Sequence, residues 1–154
     1  MGAVRQRTLT WQTVLTAIRR VGVPANEVHA PHFTLVNLKT TFYTRPQPMT
    51  RSLHLVGFDV DVRVTPTSYV WHWGDGATST SSTPGRPYPS TLVTHTYEHA
   101  THDHRMRLSV DTVYTARYRV DGGSWQQIPS RLTLAGPTTS LPVKQAAAVL
   151  VAGD

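Results

Sequence analysis

The chain has 154 residues, 39% hydrophobic and 16% charged, and its 15 basic residues against 9 acidic ones give a net charge of +6. That length suits one domain with a sizeable core. The absence of cysteine removes disulfides and thiolate metal sites, and no run reaches the 18 apolar residues of a membrane-spanning helix. A basic chain is drawn to polyanions, but its charges are scattered without a run of five, which argues against a dedicated nucleic-acid binder.

Arg5 and Arg7 lie near the start. The segment after them is interrupted by Gln12, Thr13 and Thr16 and meets Arg19 and Arg20 without a cleavage pattern, so it does not read as a secretory leader. Trp11, Val14, Leu15, Ile18 and Val21 recur instead at helical spacing, predicting an amphipathic helix over 10–22. Thr10 is placed to cap its start, Gly22 to end it and Pro24 to prevent continuation, while Arg19 and Arg20 suit the negative end of the helix dipole. The apolar stripe serves either to pack the helix on its own domain or to dock a partner. Residues 1–30 thus read as helix and linker, and 31–154 as a β domain.

From residue 33 the apolar period becomes two. Residues 33–36 and 41–44 read as short strands, closed by the turn at Arg45-Pro46-Gln47-Pro48. Leu53 and Leu55 and then Phe58, Val60, Val62 and Val64 flank Gly57 as a half-buried hairpin that stops at Pro66, with Asp59, Asp61 and Arg63 on the other face. Residues 105–120 alternate most cleanly. At about 50 Å extended, they predict either a bend near Asp111 and Thr112 or a long edge ribbon. Asp121-Gly122-Gly123 signals a hairpin turn, followed by strands at 124–128 and 131–134 and a last strand within 139–151. Strands at intervals of about ten residues imply an all-β sandwich with a short N-terminal α-helix.

Tyr69, Trp71 and Trp73 share one face of an extended strand. They read either as a stacking platform for sugars or as sandwich core, and core is the better fit because the opposite face offers only Val70 and His72. Gly74-Asp75-Gly76 ends that strand in a tight turn, where the Asp75 carboxylate can accept backbone N–H groups.

Tyr69-Val70-Trp71-His72-Trp73-Gly74-Asp75-Gly76, followed some twenty residues later by His95-Thr96-Tyr97, resembles the PKD (polycystic-kidney-disease repeat) domain. Residues 34–37, 42–44, 84–89 and 118–123 are also similar to actinobacterial surface proteins carrying one such domain. The specific part of the likeness covers about residues 60–120. It implies an immunoglobulin-like β-sandwich, usually extracellular, acting as a spacer or as an adhesion, protein-contacting or carbohydrate-contacting module. It further implies that Trp71 and Trp73 are core, that Asp75 is the turn carboxylate, and that His95 and Tyr97 tie the next strand to that turn. The chain departs from the family pattern in its long 78–90 Ser/Thr/Pro loop. It departs again after Tyr97, where Glu98-His99-Ala100-Thr101-His102-Asp103-His104 replaces the usual Gly-x-Tyr.

Two further constellations stand out. His95, Glu98, His99, His102, Asp103 and His104 combine imidazole and carboxylate at a density that can ligate Zn²⁺; His99, His102 and His104 are the candidate ligands, and a loop whose charge changes near pH 6 is the alternative. Arg105, Arg107, Arg117 and Arg119 share one strand face, as a basic ridge for an anionic polymer or as cross-strand partners of Asp59, Asp61 or Asp111. No nucleophile elbow, phosphate loop or metalloprotease helix is present in the sequence. The expectation is therefore a non-enzymatic cell-surface or extracellular module without a cofactor, contacting a protein or a cell-envelope polymer. The alternatives are a homo-oligomeric or assembly subunit, such as a surface filament or virion decoration, and a metal-binding module.

Overall fold

The computed structural model describes residues 8–145, and the expected strand beyond Gln145 lies outside the described residues. Among the described residues one helix, α1 (Trp11–Val21), precedes eleven strands: β1 (Thr34–Leu35), β2 (Thr40–Thr41), β3 (Met49–Leu55), β4 (Phe58–His72), β5 (Thr78–Ser81), β6 (Thr94–His95), β7 (Met106–Val120), β8 (Gln126–Gln127), β9 (Leu132–Ala135), β10 (Thr139–Leu141) and β11 (Val143–Lys144). The architecture is mostly β and sandwich-like. A seven-stranded sheet is built on β4 and β7, and α1 with two small two-stranded sheets, β1–β11 and β2–β6, accompanies it.

The helix forms where its pattern places it. Thr10 is extended and its Oγ1 accepts the Thr13 N–H at 3.3 Å, supplying one of the donors a helix start leaves unpaired. At the other end the Gly22 N–H donates to the Ile18 carbonyl at 3.0 Å. Val14, Leu15 and Ile18 are buried, whereas Val21 is exposed. The positive φ of Gly22 redirects the chain, and Val23 takes the next core position instead.

The hairpin expected to stop at Pro66 does not stop there. β4 runs through Pro66 to His72, and it pairs with β7 along almost its whole length. Val60, Val62 and Val64 are even-numbered while Tyr69 and Trp71 are odd-numbered, yet all five are buried on one face. A strand reverses parity in this way only if one residue is added. Thr67 is that residue: Pro66 opposes Tyr114, Ser68 opposes Val113, and the register shifts between them. Proline is tolerated in so central a strand because it sits at the bulge, in the gap between the stretch paired with β3 (58–64) and the stretch paired with β5 (69–72).

β7 is correspondingly neither bent by a break at Thr112 nor an edge. It is a single central strand flanked by β4 on one side and by β8, β9 and β10 on the other. The Asp121-Gly122 turn closes its end with positive φ at both residues and a 2.9 Å bond from the Gly123 N–H to the Val120 carbonyl, the conformation that matches strand twist in short hairpins.

The long β4–β7 ribbon supports two cores. One lies under α1 and gathers Val14, Leu15, Ile18, Val60, Val62, Val64, Ala116 and Tyr118. The other gathers Phe42, Tyr69, Trp71, Trp73, Val93, Tyr97, Leu108 and Val110 with Val28. Residues before 31 therefore enter both cores. A buried polar node stands on the same ribbon: Asn26 Nδ2 donates to Thr112 Oγ1 at 2.8 Å and to the Tyr114 hydroxyl at 2.9 Å, and that hydroxyl donates to the Pro24 carbonyl at 3.0 Å. Among the described residues no buried side-chain polar atom lacks a partner.

Candidate functional site

The 69–97 motif closes on itself. Tyr69, Trp71 and Trp73 are all buried, and the two indoles stack with centroids 5.6 Å apart. Each indole N–H is satisfied by the strand that follows: Trp71 Nε1 donates to Ser81 Oγ and Trp73 Nε1 to Ser79 Oγ, both at 2.9 Å. The first residues of the Ser/Thr/Pro loop are thus strand β5. Their hydroxyls allow two tryptophans to be buried without stranding a donor.

At the strand end the Trp73 N–H donates to the Ala77 carbonyl, and Asp75 Oδ1 accepts the Ala77 N–H at 3.0 Å. Gly74 and Gly76 have φ of 86° and 90°, values that glycine adopts at little cost. Gly74 also lies against β7, where an added Cβ would be 2.6 Å from the Arg107 carbonyl oxygen. His95 Nε2–H donates to Asp75 Oδ2 at 2.7 Å, and its ring stacks flat on Trp73 at 4.6 Å. Tyr97 is buried beneath, and its hydroxyl donates to the Trp73 carbonyl at 2.8 Å. Burial pushes the Tyr97 phenol well up, and the Asp75 charge adds to it. For Asp75, burial pulls upward but is outweighed by the His95 hydrogen bond and the Ala77 N–H, so the carboxyl lies below its ordinary range.

The four arginines do not form one ridge. Arg107 and Arg117 are ten positions apart on a continuous strand, roughly 33 Å, so the pairs sit at opposite ends of β7. Arg119 Nε donates to Asp61 Oδ2 at 2.8 Å. The other expected acidic partners bind histidines instead: Asp111 takes His72 at 2.8 Å and Asp59 takes His54 at 3.0 Å.

The expected His99, His102 and His104 ligand set is not assembled: the described residues contain no group of three His, Cys, Asp or Glu side chains placed to hold a metal. The loop is instead folded on its own backbone. His102 has positive φ, the His104 N–H donates to the Thr101 carbonyl at 3.0 Å, and Thr101 exchanges bonds with Val143.

Two surfaces escaped the sequence reading. One is a cleft of about 480 Å³ lined by His29, Phe33, Leu38, Tyr43 and Tyr88 among others, a size at which small ligands or side chains are accommodated. His29 stacks on Tyr43 at 4.7 Å, and Phe33, Leu38 and Tyr88 are 47%, 48% and 85% exposed. The other is a depression of about 270 Å³ on the polar face of the sheet, lined by Thr50, Arg51, Ser52, Asp61, Arg63, Arg119 and Trp125. Trp125 follows the Asp121-Gly122-Gly123 turn, and that hairpin signal was the one sequence clue that it would fold back over the Arg117–Arg119 stretch. No family model, no curated protein and no solved structure matches the chain.

Proposed function

We propose that the protein is a non-enzymatic, immunoglobulin-like β-sandwich module of the PKD type that works at the cell surface or outside the cell, contacting a protein or an envelope polymer. One observation carries this reading. The groups of the 69–97 motif that resemble catalytic parts are engaged with one another: Asp75 with His95 and the Ala77 N–H, Tyr97 with the Trp73 carbonyl, and both indoles with serines. The motif is a latch between a strand end and the segment twenty residues later, the role the PKD resemblance implies for these residues. The exposed features, an aromatic cleft and an arginine-rich depression, are suited to contact.

Protease treatment of intact producing cells tests the location. The full-length protein is expected to be digested while a cytosolic marker survives; protection until the cells are lysed overturns the reading.

A second reading, a subunit of a larger assembly, is favoured by the exposure of Phe33, Leu38 and Tyr88 around one cleft, because apolar side chains clustered at a surface mark interfaces. Sedimentation over a range of concentrations decides it, and a monomer throughout rules it out.

A further inference from the structure

We infer that the polar face of the sheet carries a binding site for an acidic saccharide, formed by Arg51, Arg63, Arg119, Asp61 and Trp125, with Arg117 opposite Arg63 on the neighbouring strand. The inference rests on the reading of the protein as a binding module and names its ligand.

The first ground is an arrangement that works against stability. Arg63 on β4 and Arg117 on β7 stand directly opposite each other, a like-charge pairing that destabilises a sheet. Neither forms an ion pair with a carboxylate among the described residues, since the nearby Asp61 is bound to Arg119. A bound oxyanion at the Arg63 guanidinium offsets that repulsion, and the planar fork of arginine suits a carboxylate or sulfate.

The second ground is that the guanidinium groups are held in place. The Cζ atoms of Arg63 and Arg119 lie 4.5 Å and 4.9 Å from the centre of the Trp125 ring, close enough for cation–π attraction. Arg119 is fixed further by Asp61, which also accepts the Ser52 hydroxyl at 2.8 Å. Arg51, on the edge strand β3, completes the rim. The ordering cost of long side chains, which usually weakens surface arginine sites, is thus partly met before a ligand arrives.

The third ground selects among anions. The depression sets three guanidinium groups beside one carboxylate and the hydroxyls of Thr50 and Ser52. The Arg119 and Ser52 hydrogen bonds hold the Asp61 carboxyl below its ordinary range, so it is charged at neutral pH. It offers an acceptor to a hydroxyl, and a sugar ring bearing a carboxylate or a sulfate supplies both the anion and the hydroxyl donors.

Calorimetric titration of the purified full-length protein with polygalacturonate, dextran sulfate, neutral dextran and a short single-stranded oligonucleotide tests the proposal. Binding is expected to one or both acidic polysaccharides, and the two distinguish a carboxylate from a sulfate source, with none to neutral dextran. The Arg63→Gln/Arg117→Gln variant is expected to bind about tenfold more weakly while its melting temperature stays close to the parent's, because the lost Trp125 contact is offset by removal of the like-charge pair. Arg19→Gln/Arg20→Gln on the helix removes the same charge and is expected to bind as the parent does. The proposal is overturned if neither acidic polysaccharide binds, if both double variants lose affinity equally, or if the oligonucleotide binds as tightly. Failure here leaves the surface location standing, because protease treatment of cells does not depend on the ligand.

Discussion

Replacing Tyr97 by phenylalanine isolates the latch from the core around it. The ring of Tyr97 is fully buried among Trp73, Val93 and Leu108 and the rest of its cluster, and phenylalanine retains that ring, so little apolar burial is lost. What disappears is the hydroxyl that donates to the Trp73 carbonyl at 2.8 Å. That leaves a carbonyl at the strand end without its partner, a change worth about 1–3 kcal/mol. For a domain of this size such a loss lowers the melting temperature by about 3–10 °C. Urea denaturation followed by tryptophan fluorescence and by circular dichroism measures it, with coincident transitions and an unchanged slope showing that the folded state is otherwise intact. The difference also has a pH signature. The phenol is held above its ordinary range in the folded protein, so its contribution is complete below the unfolded value, about pH 10, and is lost as pH rises through the folded value. The gap between parent and variant should therefore narrow in alkali. A difference below about 0.5 kcal/mol at neutral pH, or one that does not respond to alkali, refutes the latch.

The carboxylate of the same latch predicts the opposite limb. Asp75 lies below its ordinary range when folded, so its contribution is present above about pH 4 and disappears as pH falls through the folded value; the stability gap between parent and Asp75→Asn should close in acid, and a constant gap refutes the assignment. Gly74 and Gly76 form a matched pair, since both have positive φ but only an added Cβ at Gly74 meets backbone, the Arg107 carbonyl at 2.6 Å. Gly76→Ala should cost about 1–2 kcal/mol of backbone strain and Gly74→Ala clearly more in urea denaturation, with equal costs arguing against the close approach of this turn to β7.

The local features were legible because they depend on residues close in sequence. Thr10, the apolar spacing and Gly22 specify the helix. The alternation of 106–120 specifies a strand, Asp121-Gly122 specifies its turn, and the more apolar face of 69–73 places both tryptophans in a core. The parity change between Val64 and Tyr69 was also written in the chain, but it could be read as two strands separated by Pro66. Only pairing with β7 makes it one strand with a bulge at Thr67. Tertiary structure alone decided which distant side chains meet. It set Arg63 opposite Arg117, brought Trp125 over both Arg63 and Arg119, assembled a cleft from residues as far apart as His29 and Tyr88, and left His99, His102 and His104 outside any ligand set. Periodicity records which face of an element is buried. It carries no information about the register between elements, and in this protein the register built the surfaces.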